Sequence, residues 1–399
     1  MPGFRGSSGG RRFGPRARPA RAKLRRMQGG PRTTIRDGEV FVYRLFDVAD
    51  AVDLARAEET VVAAPKSRVR LDSAMSASAV ELPRPPLHLD LGPREVPLAS
   101  GARTAAASAH VYDYGVVSIR YRLPIPPGTA IVDLLPLSEE LSVEPTPELD
   151  AAARREAEVV AHALGGALER PHAWEGVESY QIFFARALDG VEGPAPELPE
   201  RAPIVELVLG ETSGVRVSPA ERREVLAYQF SYLDEDLAVV HWDSAFVLEP
   251  SGVEDIPDLL EFATAHLLEL RYYDALLDRE LQRLYDEMEK GGSPLVNIFT
   301  RRTRRLQRRT VALLLELSEM IERLENAVKI VGDFYLARLY QGAVRRFRLP
   351  AWQETVLRKQ KLLADVNALA GGSADTARAE LMELAVIFLI LLELLAALR

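Results

Sequence analysis

From Pro250 to the C-terminus the sequence carries no strand pattern, only apolar residues at helical spacing, and this switch constrains the architecture most. Before it, strand and helix patterns alternate. A chain divided in this way is predicted to be α+β: an N-terminal mixed sheet-and-helix domain, then a long antiparallel helical hairpin and a C-terminal apolar helix. The expected divisions are a basic disordered tail at 1–36, the α+β domain at 37–250, the helical hairpin at 251–372 and a terminal helix at 373–399.

In the first half, Glu39 to Phe46 reads Glu-Val-Phe-Val-Tyr-Arg-Leu-Phe behind Asp37-Gly38, a strand signal in branched and aromatic residues. Further strands are predicted from His110 to Leu123, Ser179 to Leu188 and Ala238 to Leu248. Helices are predicted from Pro147 to Leu168, where Ala153, Ala157, Val160, Ala161 and Leu164 share one face, and from Pro219 to Tyr228. The proline clusters at 83–97 and 194–203 read as loops, and Asp234-Glu235-Asp236 as a turn.

In the second half, Leu267, Leu270, Leu277, Leu281, Leu284 and Met288 form one helix, which Lys290-Gly291-Gly292-Ser293-Pro294 breaks. The next carries Leu314, Leu317, Ile321, Leu324, Val328, Val331 and Tyr335, seven positions on a 3.5-residue seam. That seam predicts pairing within a hairpin and with a second copy of the chain. A third helix is expected from Trp352 to Leu369, before Gly371-Gly372.

The last helix is apolar all round, and Leu384, Ile387, Phe388, Leu391 and Leu395 would face lipid, with Glu393 near the end. Residues 381–398 are therefore expected to be a single membrane span, with membrane lipid as a partner and the N-terminal body cytoplasmic.

Composition narrows the chemistry. With no cysteine, disulfides, thiolate metal sites and cysteine nucleophiles are excluded. Residues 1–36 hold 11 Arg and Lys and no acid, leaving 39 basic residues against 58 acidic ones in the remainder. So acidic a body repels phosphate, and no specific nucleic acid is expected. One basic cluster stands out, with Arg301, Arg304, Arg305, Arg308 and Arg309 near the predicted hairpin turn. It reads as a solvated face or as an anion patch. Neither a Walker loop nor HExxH nor a dinucleotide fingerprint occurs. Gly6-Ser7-Ser8-Gly9-Gly10 matches the nucleophile-elbow pattern but lies in the tail, without a strand and helix to strain it. Glu158 and His162, with His172 ten residues on, could in principle share a metal. They read better as solvated or capping residues. No catalytic residue, cofactor or metal ligand is assigned.

The run Glu325-Asn326-Ala327-Val328-Lys329-Ile330-Val331-Gly332-Asp333, then Tyr335-Leu336-Ala337-Arg338, Trp352 and a terminal apolar helix containing Glu, resembles the family named for the yeast proteins "required for meiotic nuclear division". Tyr114-Gly115-Val116-Val117 is similar to that family's early strand signature. The resemblance implies an α+β domain, helices, a C-terminal membrane anchor and assembly into large complexes. A weaker architectural similarity is to CorA-type magnesium channels, from which the chain departs in having one apolar span and no Gly-Met-Asn. The function expected is thus a non-enzymatic, tail-anchored oligomeric scaffold or partner-binding module. The alternatives are a CorA-like ion-conducting oligomer, and an unrecognised hydrolase or nucleotide enzyme.

Overall fold

The computed structural model describes residues 32–61, 65–69, 84–142, 146–191, 193–211, 216–290, 311–315, 317–318, 334–366 and 368. Its centre is a mixed sheet. The strands in chain order are β1 (Thr34–Asp47), β2 (Ala49–Val52), β3 (Lys66–Arg68), β4 (Leu87–Val96), β5 (Arg103–Val111), β6 (Val116–Pro124), β7 (Thr129–Ala130), β8 (Leu168–Pro171), β9 (Glu178–Asp189), β10 (Gln229–Phe230), β11 (Leu237–Val240) and β12 (Ser244–Leu248). Ten of them make one sheet in the order β10-β11-β12-β9-β1-β6-β5-β4-β3, with β7 beside the start of β1. β12 runs parallel to β9, and the other pairings are antiparallel. β2 and β8 form a separate two-stranded ribbon.

β1 is central because both its faces are apolar. Phe41, Tyr43 and Leu45 enter one core and Val40, Val42 and Phe46 the other, the alternation that a period of two demands. One core is closed by helices from the first half: α1 (Leu54–Thr60), α2 (Leu135–Ser142), α3 (Pro147–Leu164), α4 (Leu198–Arg201), α5 (Ile204–Val208) and α6 (Pro219–Leu226). α3 starts on Pro147, with Glu148 and Asp150 in its first turn, favourable at the positive end of the helix dipole. Arg44 crosses this core from β1: Nε donates to Asp150 Oδ1 (2.7 Å) and Nη2 to Thr146 Oγ1 (2.9 Å), fixing α3 on the sheet.

The opposite face is covered by α7 (Asp255–Lys290), α8 (Phe334–Arg346) and α9 (349–366). α7 has 36 residues and spans about 54 Å at 1.5 Å per residue. Its first half lies on β1, β6 and β9. Beyond them, Leu277, Leu281 and Leu284 share a core with Leu313, Leu317, Val356, Leu363 and Val366. Lys359 on α9 pairs with both Asp274 (2.7 Å) and Asp278 (2.6 Å) of α7.

The architecture is α+β, with a large mixed sheet and helices. In detail it departs from the sequence reading at several points. β1 begins at Thr34, three residues inside the segment read as tail, with Ile35 buried. His110 to Leu123 is two strands around a turn at 112–115, and Ala238 to Leu248 is likewise the hairpin β11–β12. The proline stretch 83–97 holds β4. There Pro93 is tolerated because the outermost strand, β3, pairs only with Leu87–Leu89, and a bulge at Gly92 (φ +73°) bends the strand. α3 stops at Leu164, before Gly165 (φ +49°).

Membrane anchoring with a cytoplasmic body is corrected. Among the described residues no helix is long and apolar enough to cross a membrane. The longest, α7, carries Glu261, Glu269, Arg271, Asp274, Asp278, Arg279 and Glu280 along its length, each costly in hydrocarbon. The residues that prompted the expectation, Leu384, Ile387, Phe388, Leu391, Glu393 and Leu395, lie outside the described residues.

Candidate functional site

On the α7 side the sheet is divided. Its β9–β1 half is apolar and aromatic, whereas β6 and β5 present Ser118, Arg120 and Arg122 beside Ser108 and His110. Opposite them, Glu254 and the first two turns of α7 bring Asp258 and Glu261, three residues apart and so on one helix face. The result is a buried ionic layer. Arg120 Nη1 donates to Glu254 Oε2 (3.0 Å) and lies 3.5 Å from Asp258 Oδ1. Arg122 Nη2 donates to Glu254 Oε1 (2.6 Å) and to Glu39 Oε2 (2.8 Å). Both guanidinium groups lie over the Phe41 ring, 5.6 and 5.0 Å from its centroid.

The innermost pair is His110 Nδ1 with Glu261 Oε2, at 2.8 Å. His110 Nε2 in turn meets His88 Nδ1 at 2.9 Å, so a chain of imidazoles runs from half-buried His88 to fully buried Glu261. Burial first, then the charges of His110 and Arg120, push His88 down to about 4, and it is neutral near pH 7. Burial alone would raise Glu261, but the charge and hydrogen bond of His110, with Arg120, outweigh it and hold the carboxyl below its ordinary range. Asp258 goes the other way, raised by burial to about 6 against the pull of Arg120 and His110. The two acids thus differ because only Glu261 has a close hydrogen-bonding partner.

Four oxygens around this layer lack hydrogen bonds of good geometry among the described residues: Tyr43 Oη, Ser118 Oγ, Asp258 Oδ1 and Glu261 Oε1. Ser118 still helps to hold the charge on Glu261. Buried polar atoms are normally satisfied, so such a cluster marks a place with room for something more.

A second histidine site closes the other end of β1. His172 Nε2 meets Asp47 Oδ1 at 2.9 Å, and its Nδ1 lies 3.2 Å from Asp50 Oδ1. The ring stacks on Tyr272 of α7, with centroids 4.7 Å apart and planes 2° from parallel. Desolvation would lower its pKa, but the hydrogen bonds and charges of Asp47 and Asp50 prevail and raise it to about 9. Burial raises Asp47 too, which offsets part of the gain from the pair. Because the folded-state pKa is raised, the stabilisation is complete below about pH 6.5 and is lost as pH rises through about 9. His172→Gln is therefore expected to cost about 1–2 kcal/mol at pH 6 and much less at pH 10. Urea unfolding of both proteins at the two pH values checks this, and an equal loss at both would contradict it.

From the sequence, His172 is named only beside Glu158 and His162, and neither His88 and His110 nor the acids of either site are singled out. The available signal was polar residues within apolar patterns: Asp258 and Glu261 interrupt Leu259-Leu260 and Phe262-Ala263, and His110 follows the alternating alanines of β5. His162 is exposed on α3, and His172 pairs with Asp47 and Asp50 rather than with Glu158. Of the seam, Leu317 is fully buried and Leu314 half-buried in the chain's own core, while Tyr335 packs on Tyr232 with centroids 5.6 Å apart. Ile321, Leu324, Val328 and Val331 lie outside the described residues, as do Arg301, Arg304, Arg305, Arg308 and Arg309. Asp234-Glu235-Asp236 is indeed in a turn, where Asp236 accepts from the backbone N–H groups of Tyr232 (2.8 Å) and Leu233 (3.0 Å).

Fold and site together define an α+β domain whose mixed sheet is joined to a long following helix through buried ion pairs. Residues 37–255 match the family model described as "Uncharacterized protein MJ0711, N-terminal domain", and the chain belongs to that family. The match ends at Asp255, the first residue of α7. Arg120 and Glu254 therefore fall within the family domain, and Asp258 and Glu261 just after it. The chain is similar to "Uncharacterized protein MJ0711" of Methanocaldococcus jannaschii, with 26% identity over 181 residues, which is 44% of this chain and 53% of that protein. The chain thus spans about half the length of this curated relative. No solved structure matches.

Proposed function

We propose that the protein is a non-enzymatic scaffold that self-associates or holds a partner, with the α+β body as a rigid base and the helical half as the arm. The supporting observation is the way α7 is fastened. Its first turns are locked to the sheet through Arg120 and His110, and its later turns share a core with Leu313, Leu317 and α9. An element about 54 Å long, fastened to the sheet at one end and to other helices further along, transmits position between two places. A long antiparallel hairpin formed with the segment after Lys290, and a terminal apolar helix, belong to this reading as proposals. The resemblance of 325–338 to a family whose members assemble into large complexes is in keeping with it.

Static light scattering of the purified full chain over a hundredfold concentration range tests the self-association. A dimer or larger species is the expected result, and a monomer throughout would overturn it. Turnover of any substrate in a broad hydrolase and nucleotide screen would overturn the non-enzymatic part.

A further inference from the structure

We propose that the space between β5, β6 and the first turns of α7 holds one divalent metal ion of the zinc class, on His110, Asp258 and Glu261. One ligand atom from each of these residues lies within 4.8 Å of the other two. They come from two packed elements, a strand and a helix, so the fold itself sets their spacing. His110 and Glu261 are buried and Asp258 nearly so, which favours a site made by protein ligands over one that keeps a shell of water.

Charge supports the assignment. Glu254, Asp258 and Glu261 surround Arg120, and Arg122 divides its charge between Glu254 and Glu39. Three acids face one and a half guanidinium groups and His110, so the layer holds no excess of positive charge to repel an ion, and among the cationic side chains only His110 meets Glu261 at hydrogen-bond distance. Glu254 draws Arg120 toward the outer edge of the layer, with 3.0 Å to Glu254 against 3.5 Å to Asp258, which limits its repulsion of an ion at the inner edge.

The unmet polar atoms carry the inference beyond an acidic cluster. Tyr43 is fully buried and its Oη lacks a hydrogen-bonding partner among the described residues, beside two similarly lacking carboxylate oxygens, Asp258 Oδ1 and Glu261 Oε1, while Ser118 Oγ, also fully buried, leans only loosely on Glu261. An ion held through Asp258 Oδ1 and Glu261 Oε2 satisfies the first of those oxygens, and the two hydroxyls can hold a water in its open position that donates to Glu261 Oε1. His88 completes the arrangement. Its Nδ1 lies 2.9 Å from His110 Nε2 and is placed to accept from that N–H, which leaves the Nδ1 lone pair of His110 for the metal. The ion replaces the proton shared by His110 and Glu261. With bonds of about 2.0–2.1 Å at a tetrahedral angle, the two atoms move from 2.8 Å to about 3.3 Å apart. One imidazole with two carboxylates suits zinc or manganese better than magnesium, which prefers oxygen and retains its waters.

The test uses the full chain, stripped with EDTA, dialysed and titrated calorimetrically with zinc chloride and, separately, magnesium chloride. Zinc should bind with one equivalent and at least tenfold more tightly than magnesium. Glu261→Gln and Asp258→Asn should each weaken zinc binding by at least about 100-fold, and Tyr43→Phe by about tenfold. Should Glu261→Gln fail to fold, Asp258→Asn, which keeps the polar contact to Arg120, still decides the question. X-ray absorption of the zinc-loaded chain should show an imidazole signature that His110→Gln removes. Absence of stoichiometric binding, or equal affinity in the wild type and Asp258→Asn, would overturn the site and leave the four oxygens to buried water.

Discussion

Arg120→Ala is expected to lower stability by about 3–5 kcal/mol, among the largest effects any single side chain of this protein should show. Arg120 is buried on β6 and is the common partner of Glu254 and Asp258. Burial alone would favour its neutral form, but Tyr43, Asp258, Glu261 and Glu254 raise its pKa and hold it charged. Removing it does more than delete two ion pairs. It leaves Asp258 of α7 without its ion-pair partner beside Glu261, which His110 alone then balances, strips Phe41 of one cation and opens a cavity. The loss should be local, with amide exchange in residues 255–266 accelerating before that in β9. Chemical denaturation with exchange measured by mass spectrometry checks both. A double variant, Arg120→Met with Asp258→Leu, should regain part of the loss, since removing both partners is far cheaper than removing one. A loss below about 1 kcal/mol for Arg120→Ala would mean that the layer does not hold the helix.

How much of this was legible in the sequence depended on whether the signal was local. β1 and β9 could be read because branched and aromatic residues fill them, and α3 and α6 because Pro147 and Ser218-Pro219 mark their starts. β5 could not, since Arg-Thr-Ala-Ala-Ala-Ser-Ala has weak strand propensity and is held by β4 and β6 on either side. The hairpins β5–β6 and β11–β12 ran together because in their turns, Tyr112–Gly115 and His241–Asp243, the turn residues Asp113, Gly115 and Asp243 are single and set among aromatic ones that prolong the strand signal. The ionic layer was out of reach for a different reason. Its members lie between positions 39 and 261, and nothing in one sequence says that Arg120 and Glu254 meet across 134 residues. Arg120 and Arg122, two charges inside an otherwise apolar strand, were the trace it left, because such charges need partners when they are taken from water.

The second large effect concerns a glycine. Gly115→Ala is expected to cost more than about 4 kcal/mol or to prevent folding, because two separate demands meet there. The residue closes the turn between β5 and β6 at φ +97°, where an L side chain is already strained by about 1–2 kcal/mol. In addition, a Cβ built on it would lie 1.7 Å from the carbonyl oxygen of Ala49 in β2, well inside contact distance. That oxygen belongs to backbone and cannot swing away. Relief must come from separating the turn from the β1–β2 connection, which breaks the hydrogen bonds from Val48 N to Gly115 O (3.0 Å) and from Val52 N to Asp113 O (2.8 Å). The same stretch positions Asp47 and Asp50 around His172, so the damage should spread to that site. Gly128 isolates the two demands, since it has φ +82° but no atom within 4 Å of a built Cβ. Gly128→Ala should therefore lose only about 1 kcal/mol. Thermal and urea unfolding of the two variants side by side provide the measurement. Equal, mild losses would show that the turn can move off β2, whereas a several-fold larger loss at Gly115 places the reason for glycine in the close approach of two backbones.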